Sequence, residues 1–148
     1  MFYISPMRIT HVTDEGALAG CLPHLTPNER QALTALVECL RQMYGDDLLR
    51  VVLYGSKARG DSDEESDLDV LVVVRLPEDA FWQHWQRIVN ETAAIELGYG
   101  VVLSLLIEDE PEYTQMRQWN LLLNRNIEQD GIELWAATRS EMSFAWEQ

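Results

Sequence analysis

Leu33, Leu36, Val37 and Leu40 recur at the three-and-four spacing of one helical face. Thr26 precedes them as an N-cap candidate, with Pro27 at the first helical position and Glu29 three residues after the threonine, the pattern of a capping box. The helix so predicted runs to about Tyr44 and stops at Gly45. Leu48 to Tyr54 is a continuous apolar run broken only by Arg50, and Leu68 to Val74 repeats the signal around Asp69, so both read as buried strands. Pro77 and Asp79 lead into a second helix over about Ala80 to Leu97, with an apolar stripe of Phe81, Trp82, Trp85, Ile88, Val89 and Ile95. Gly98 and Gly100 close it, and Val101 to Ile107 forms a third buried strand. Pro111 opens one helical stretch through about Asn126, followed by a short strand from Ile132 to Ala136.

Alternating strands and helices with no internal repeat predict an α/β (α+β) domain, a mixed sheet of about four strands with packed helices. It is placed at residues 26–148. Residues 1–25, with Phe2 and Ile4 set among Pro6, Gly16, Gly20 and Pro23, read as an arm or short strand followed by a loop.

Composition narrows the classes. At 148 residues the chain can bury a core without metal or disulfide staples, and no apolar run reaches the roughly 18 residues of a membrane span. Eleven basic against 25 acidic residues give a net charge of −14, which opposes binding to nucleic acid or an anionic membrane through a general basic surface. The acidic excess reads either as solubility or as the complement of a basic protein partner. Cys21 and Cys39 have no zinc or CxxC spacing, and residues 1–9 lack a secretory layout, so reduced thiols in the cytoplasm are expected.

The chemistry concentrates in Gly55 to Val74. Six of the nine residues from Asp61 to Asp69 are acidic. A Walker-type phosphate loop fails, because Asp61 and Ser62 stand where lysine and a hydroxyl residue belong. A calcium loop fails as well, with Ser66 and Val72 at its glycine and glutamate positions. What remains is Gly55-Ser56 at a strand end, ten residues, and Asp67 and Asp69 flanking Leu68 at the next strand's start. Side chains alternate along a strand, so both carboxylates face one way and repel each other unless a cation lies between them. Hard oxygen ligands of this kind suit Mg²⁺ bridging to substrate phosphates. Gly55 allows close backbone approach, Ser56 adds a hydroxyl, and the N–H groups of a following helix can hold phosphate oxygens.

Tyr54-Gly55-Ser56 followed by Asp67-Leu68-Asp69 resembles the signature of the DNA polymerase beta-like nucleotidyltransferases. Ala58-Arg59-Gly60 and Ser66, with the later Asn126-Ile127-Glu128 and Gly131-Ile132, resemble the minimal nucleotidyltransferases often paired with HEPN-domain toxins. The resemblance implies Mg²⁺-dependent transfer of a nucleoside monophosphate from ATP to an acceptor hydroxyl. Asp67 and Asp69 would act as catalytic metal ligands, Gly55, Ser56, Arg59 and Ser66 would bind nucleotide, and Lys57 could share in neutralising the phosphates. The acceptor in toxin-paired relatives is a tyrosine of the partner, which makes an antitoxin acting on a HEPN-type RNase toxin the sharpest expectation.

The sequence departs from this pattern in one place. The superfamily usually supplies a third carboxylate from a later strand, and Val101 to Ile107 contains none. Ser104 on that strand, or Glu108 or Asp109 beyond it, are the candidates to replace it. Two further readings therefore stand beside the enzyme: a decayed fold that neutralises its partner by binding, and transfer to a small hydroxylated molecule, for which 148 residues leave little room. Arg59 either touches phosphate or pairs with Asp61 or Asp63. His11, His24 and His84 lie away from the motif and receive no role, Trp82 and Trp85 read as core or partner-facing, and nothing places Tyr99 or Tyr113 at the nucleotide.

Overall fold

The computed structural model describes residues 8–9, 24–61, 67–77, 79–119 and 122–137. Two central strands, β2 (Leu48–Tyr54) and β3 (Leu68–Val74), pair antiparallel and are buried along almost their whole length. β5 (Ile132–Ala136) runs antiparallel to β2, and β4 (Leu103–Asp109) runs parallel to β3. The two-residue β1 (Arg8–Ile9) adds to β5 in parallel, giving the order β1-β5-β2-β3-β4. The mixed sheet of about four strands is thus found, widened by one short edge strand that the sequence left as an arm.

Helices cover both faces, as buried strands require. Leu33, Leu36, Val37 and Leu40 of α1 (Pro27–Tyr44) and Ile88 of α3 (Phe81–Tyr99) pack on Val51, Leu53, Leu68, Val70 and Val72. Burying leucines of this kind stabilises by about 1.5–3 kcal/mol each. On the opposite face, Tyr113 and Met116 of α4 (Glu110–Gln118) and Ile127 of α5 (Leu122–Asp130) pack on Leu49, Val52, Leu71 and Val73. The expected capping box is present: Thr26 Oγ1 accepts from Glu29 N at 3.2 Å, and Glu29 Oε1 accepts from Thr26 N at 2.8 Å.

The single helix expected over 111–126 is corrected to two, α4 and α5. An unbroken helix over 110–130 would run about 30 Å straight. Dividing it lets Tyr113, Met116 and Ile127 all bury on one face while Gly131 returns the chain to β5 beside β2. The expected third strand over Val101–Ile107 is displaced by two residues to Leu103–Asp109.

Arg50, the polar interruption of β2, is buried on the α4/α5 side. Register shifts flank it in β2, and its Nε donates to Glu133 Oε1 at 2.8 Å while Nη1 meets the Tyr113 hydroxyl and Glu128 Oε1. Burial alone would disfavour the Arg50 charge, but Tyr113, Glu133 and Glu128 outweigh it and hold the guanidinium more firmly protonated than usual. No helix among the described residues is long and apolar enough to cross a membrane.

Candidate active site

β2 ends at Tyr54, and the chain turns at once into the one-turn helix α2 (Gly55–Arg59), which ends on Gly60 in the left-handed conformation at φ 85°. Ser56 anchors this turn, its carbonyl accepting the N–H groups of Gly60 at 2.8 Å and Asp61 at 3.2 Å. Gly55 has φ 75°, a region costly for any residue with a Cβ. A second constraint acts on the same atom. Tyr54 lies directly across from Asp69 in the β2/β3 pairing, and a Cβ on Gly55 would overlap the Asp69 carboxylate. The glycine is therefore required both by the backbone turn and by the acid that backs against it.

Asp69 sits on the α4/α5 side of β3, alternating with Leu68 and Val70 in the opposite core. It is half-buried, while Asp67, two residues earlier, is exposed. Burial first, and the charge of Asp67 second, raise the Asp69 carboxyl above the ordinary aspartate range; a hydrogen bond from the Ser104 hydroxyl and the charge of Arg59 pull the other way. Burial and the Asp69 charge likewise raise the Tyr54 phenol.

The cations divide by burial. Arg59 is exposed and its Nε lies 3.1 Å from Asp61 Oδ2, so it takes the surface pairing expected as its alternative role while its charge still reaches Asp69. Lys57 does not face outward with it. Its Nζ is buried and lies 2.6 Å from Glu29 Oε2, pinning α2 to the first turn of α1, which corrects its expected part in neutralising phosphates. Burial opposes ionisation of Glu29, but the Lys57 hydrogen bond, the Thr26 backbone N–H and the Lys57 charge outweigh it and hold the acid below its usual range. Ser66, expected at the nucleotide, lies outside the described residues.

The question of the third carboxylate is resolved by register. Ser104 pairs with Asp69 across β3 and β4, whereas Glu108 and Asp109 pair with Val73 and Val74. At about 3.3 Å per residue, Glu108 lies about 13 Å further along the strand. Both acids are otherwise engaged: Asp109 caps α4, accepting Glu112 N at 3.0 Å, and Glu108 hydrogen-bonds the Glu112 side chain. Among the described residues no cluster of three or more metal-ligating side chains forms.

Two residues unsignalled by the motif border α2. Glu29 reaches it through Lys57, and the His24 ring packs over Gly60, a contact the sequence separation of 36 residues concealed. Tyr113 and Tyr99 are engaged elsewhere, the first with Arg50 and the second against the α1/α3 core. Trp85 packs on that core while Trp82 stacks on it with ring centroids 4.9 Å apart and remains 61% exposed.

A mixed sheet whose central hairpin brings a glycine-serine turn against an aspartate of the next strand defines an α/β nucleotidyltransferase domain. Comparison with known proteins places the chain: the nucleotidyltransferase domain model matches residues 33–140, and the chain belongs to that family. It is 31% identical over 108 residues to "Putative protein adenylyltransferase MJ0604" of Methanocaldococcus jannaschii, covering 73% of this chain and 99% of that protein. A second relative from the same organism, "Putative protein adenylyltransferase MJ0141", is 44% identical over 62 residues, 42% of this chain and 61% of its own length. Among solved structures, one described as a "putative nucleotidyltransferase" from Sulfolobus solfataricus is 19% identical with a TM-score of 0.49, over 74% of this chain and 81% of that one. A toxin-antitoxin structure with AMP-PNP is 19% identical with a TM-score of 0.43, over 76% and 81% of the respective chains.

Proposed function

We propose that this chain is a Mg²⁺-dependent adenylyltransferase that moves AMP from ATP to a hydroxyl of a partner protein, a HEPN-type RNase toxin, and so acts as its antitoxin. The observation that carries the reading is the seating of Gly55 against Asp69, with Asp67 on the same side of the strand start. The donor set suits the ion: two hard carboxylates, one of them raised by burial and by the other's charge, gain from a divalent cation that relieves both effects. Asp67 and Asp69 would hold Mg²⁺, which supplies charge neutralisation for the triphosphate and the leaving pyrophosphate.

The remaining roles belong to the chain. The Gly55-Ser56 turn lets the triphosphate approach the backbone, and the Ser56 hydroxyl and the N–H groups at the start of α2 bind its oxygens. Arg59, exposed at the end of α2 and exchanging Asp61 for phosphate, adds a mobile positive charge. The acceptor oxygen then bonds to the α-phosphorus, the bond to the bridging oxygen breaks, and pyrophosphate leaves with the electron pair. The names of the M. jannaschii relatives support a protein acceptor. The net charge of −14 supports a basic partner.

The serine in place of a third carboxylate beside Asp69 favours a second reading, a nucleotide-binding antitoxin that works by occlusion. One experiment separates them. The protein is incubated with Mg²⁺, ATP labelled at the α-phosphate and the product of the neighbouring gene. Label on the partner that disappears in Asp67→Asn and Asp69→Asn supports transfer. A partner that stays neutralised by both variants, unlabelled, sinks transfer and leaves occlusion.

A further inference from the structure

The strand register that fixes the neighbour of Asp69 also bears on how many ions the site can hold. Two-metal phosphoryl-transfer sites set their ions about 3.5–4 Å apart, and each ion needs anionic ligands. A shared carboxylate between two Mg²⁺ ions must be supplemented by others, because two divalent charges this close repel strongly. On β4, the position facing Asp69 is Ser104, a neutral hydroxyl already donating to the Asp69 carboxylate. The acids next along the strand, Glu108 and Asp109, are four and five residues away and hold Glu112 and the α4 N-terminus. Among the described residues Asp67 and Asp69 are the acids at this strand edge apart from Asp61, which pairs with Arg59.

We infer that this site takes a single divalent cation, the one that accompanies the nucleotide triphosphate, and that Ser104 is the specificity-determining position that keeps a second ion out. The inference rests on the proposed nucleotide site and deepens it. Ser104 holds Asp69 through its hydroxyl and leaves the acceptor side of the site without a fixed positive charge. The reaction then depends on the nucleotide-bound ion alone, and metal activation follows a single binding isotherm.

Counting ions directly tests this without reference to turnover. Purified full-length chain is titrated with Mn²⁺ in the presence of a stoichiometric non-hydrolysable ATP analogue, and bound Mn²⁺ is measured by electron paramagnetic resonance. One Mn²⁺ per chain is expected for the wild type and for Ser104→Ala, with no spin coupling between ions. Ser104→Asp is expected to bind two and to show the broadened signal of a coupled pair. A wild type that binds two coupled ions with the analogue overturns the single-ion inference while leaving the nucleotide site standing. A folded Ser104→Asp that still binds one also overturns it, because Ser104 would then not be what limits the count. Failure to bind Mn²⁺ and analogue at all overturns the nucleotide site itself and the inference with it.

Discussion

The Asp69 carboxylate occupies the space into which a Cβ on Gly55 would project, so a single glycine ties the end of one central strand to the acid on the next. Gly55→Ala therefore imposes a positive-φ strain and displaces the carboxylate. The displaced atoms end a side chain rather than a backbone segment, so the stability cost is expected to be only about 1–3 kcal/mol. Nucleotide binding should suffer more. Calorimetric titration with Mg²⁺ and ATP is expected to show a loss of at least about tenfold, roughly 1.4 kcal/mol. A variant that binds normally would detach Asp69 from the nucleotide.

Arg59 and Lys57 are two residues apart and should behave oppositely. The Arg59–Asp61 pair is exposed and contributes little to folding, so Arg59→Ala is expected to leave the melting temperature within about 1 °C. Loss of a mobile phosphate contact should weaken ATP by about 3- to 10-fold, or roughly 0.6–1.4 kcal/mol. Denaturation and binding measured on the same preparation would check both halves.

Lys57→Met leaves Glu29 without the cation it meets at 2.6 Å, and breaking a buried pair from one side costs about 3 kcal/mol. Adding Glu29→Gln removes the uncompensated charge and is expected to recover more than half of that loss, a coupling that urea unfolding of the four proteins in the cycle would measure. Because Glu29 ionises more readily folded than unfolded, its contribution is present above the ordinary glutamate value of 4.5 and is lost as pH falls through the depressed folded value.

Glu108 gives the opposite sign. Burial, the hydrogen bond with Glu112, and the charges of Glu112 and Asp109 raise it from 4.5 to about 7. Its stabilising proton is fully held below pH 4.5 in both states, and the advantage is lost as pH rises through about 7. The wild type is therefore expected to lose on the order of 1–2 kcal/mol between pH 5 and 8, allowing for solvent screening of a half-exposed group. Glu108→Gln should flatten that slope. Thermal melts across the range that show the same slope in both proteins would remove Glu108 as the source.

How far the sequence could be read depended on how local each constraint was. The capping box at Thr26 and Glu29, the buried runs of β2 and β3 and the Gly55-Ser56 and Asp67-Asp69 spacing were legible because each is set by neighbouring residues or by the two-residue period of a strand. The division of α4 from α5 was not. No glycine or proline lies between Glu112 and Asp130, so the break answers to the sheet face that both helices cover rather than to a local stop signal. Lys57 reads as one more cation beside a phosphate turn until α1 is folded across it.

By itself the amino-acid order determined the fold class, the central hairpin and the two aspartates on one side of β3, all consequences of periodicity and backbone conformation. Tertiary structure decided which residues stand beside them. Ser104 faces Asp69 because β4 aligns with β3 in one parallel register, Glu108 and Asp109 are carried away by the same register, and Glu29 meets Lys57 across 28 residues of chain. Such neighbours are chosen by the packing of whole strands and helices into two cores, and no local pattern encodes the pairing of elements far apart in sequence.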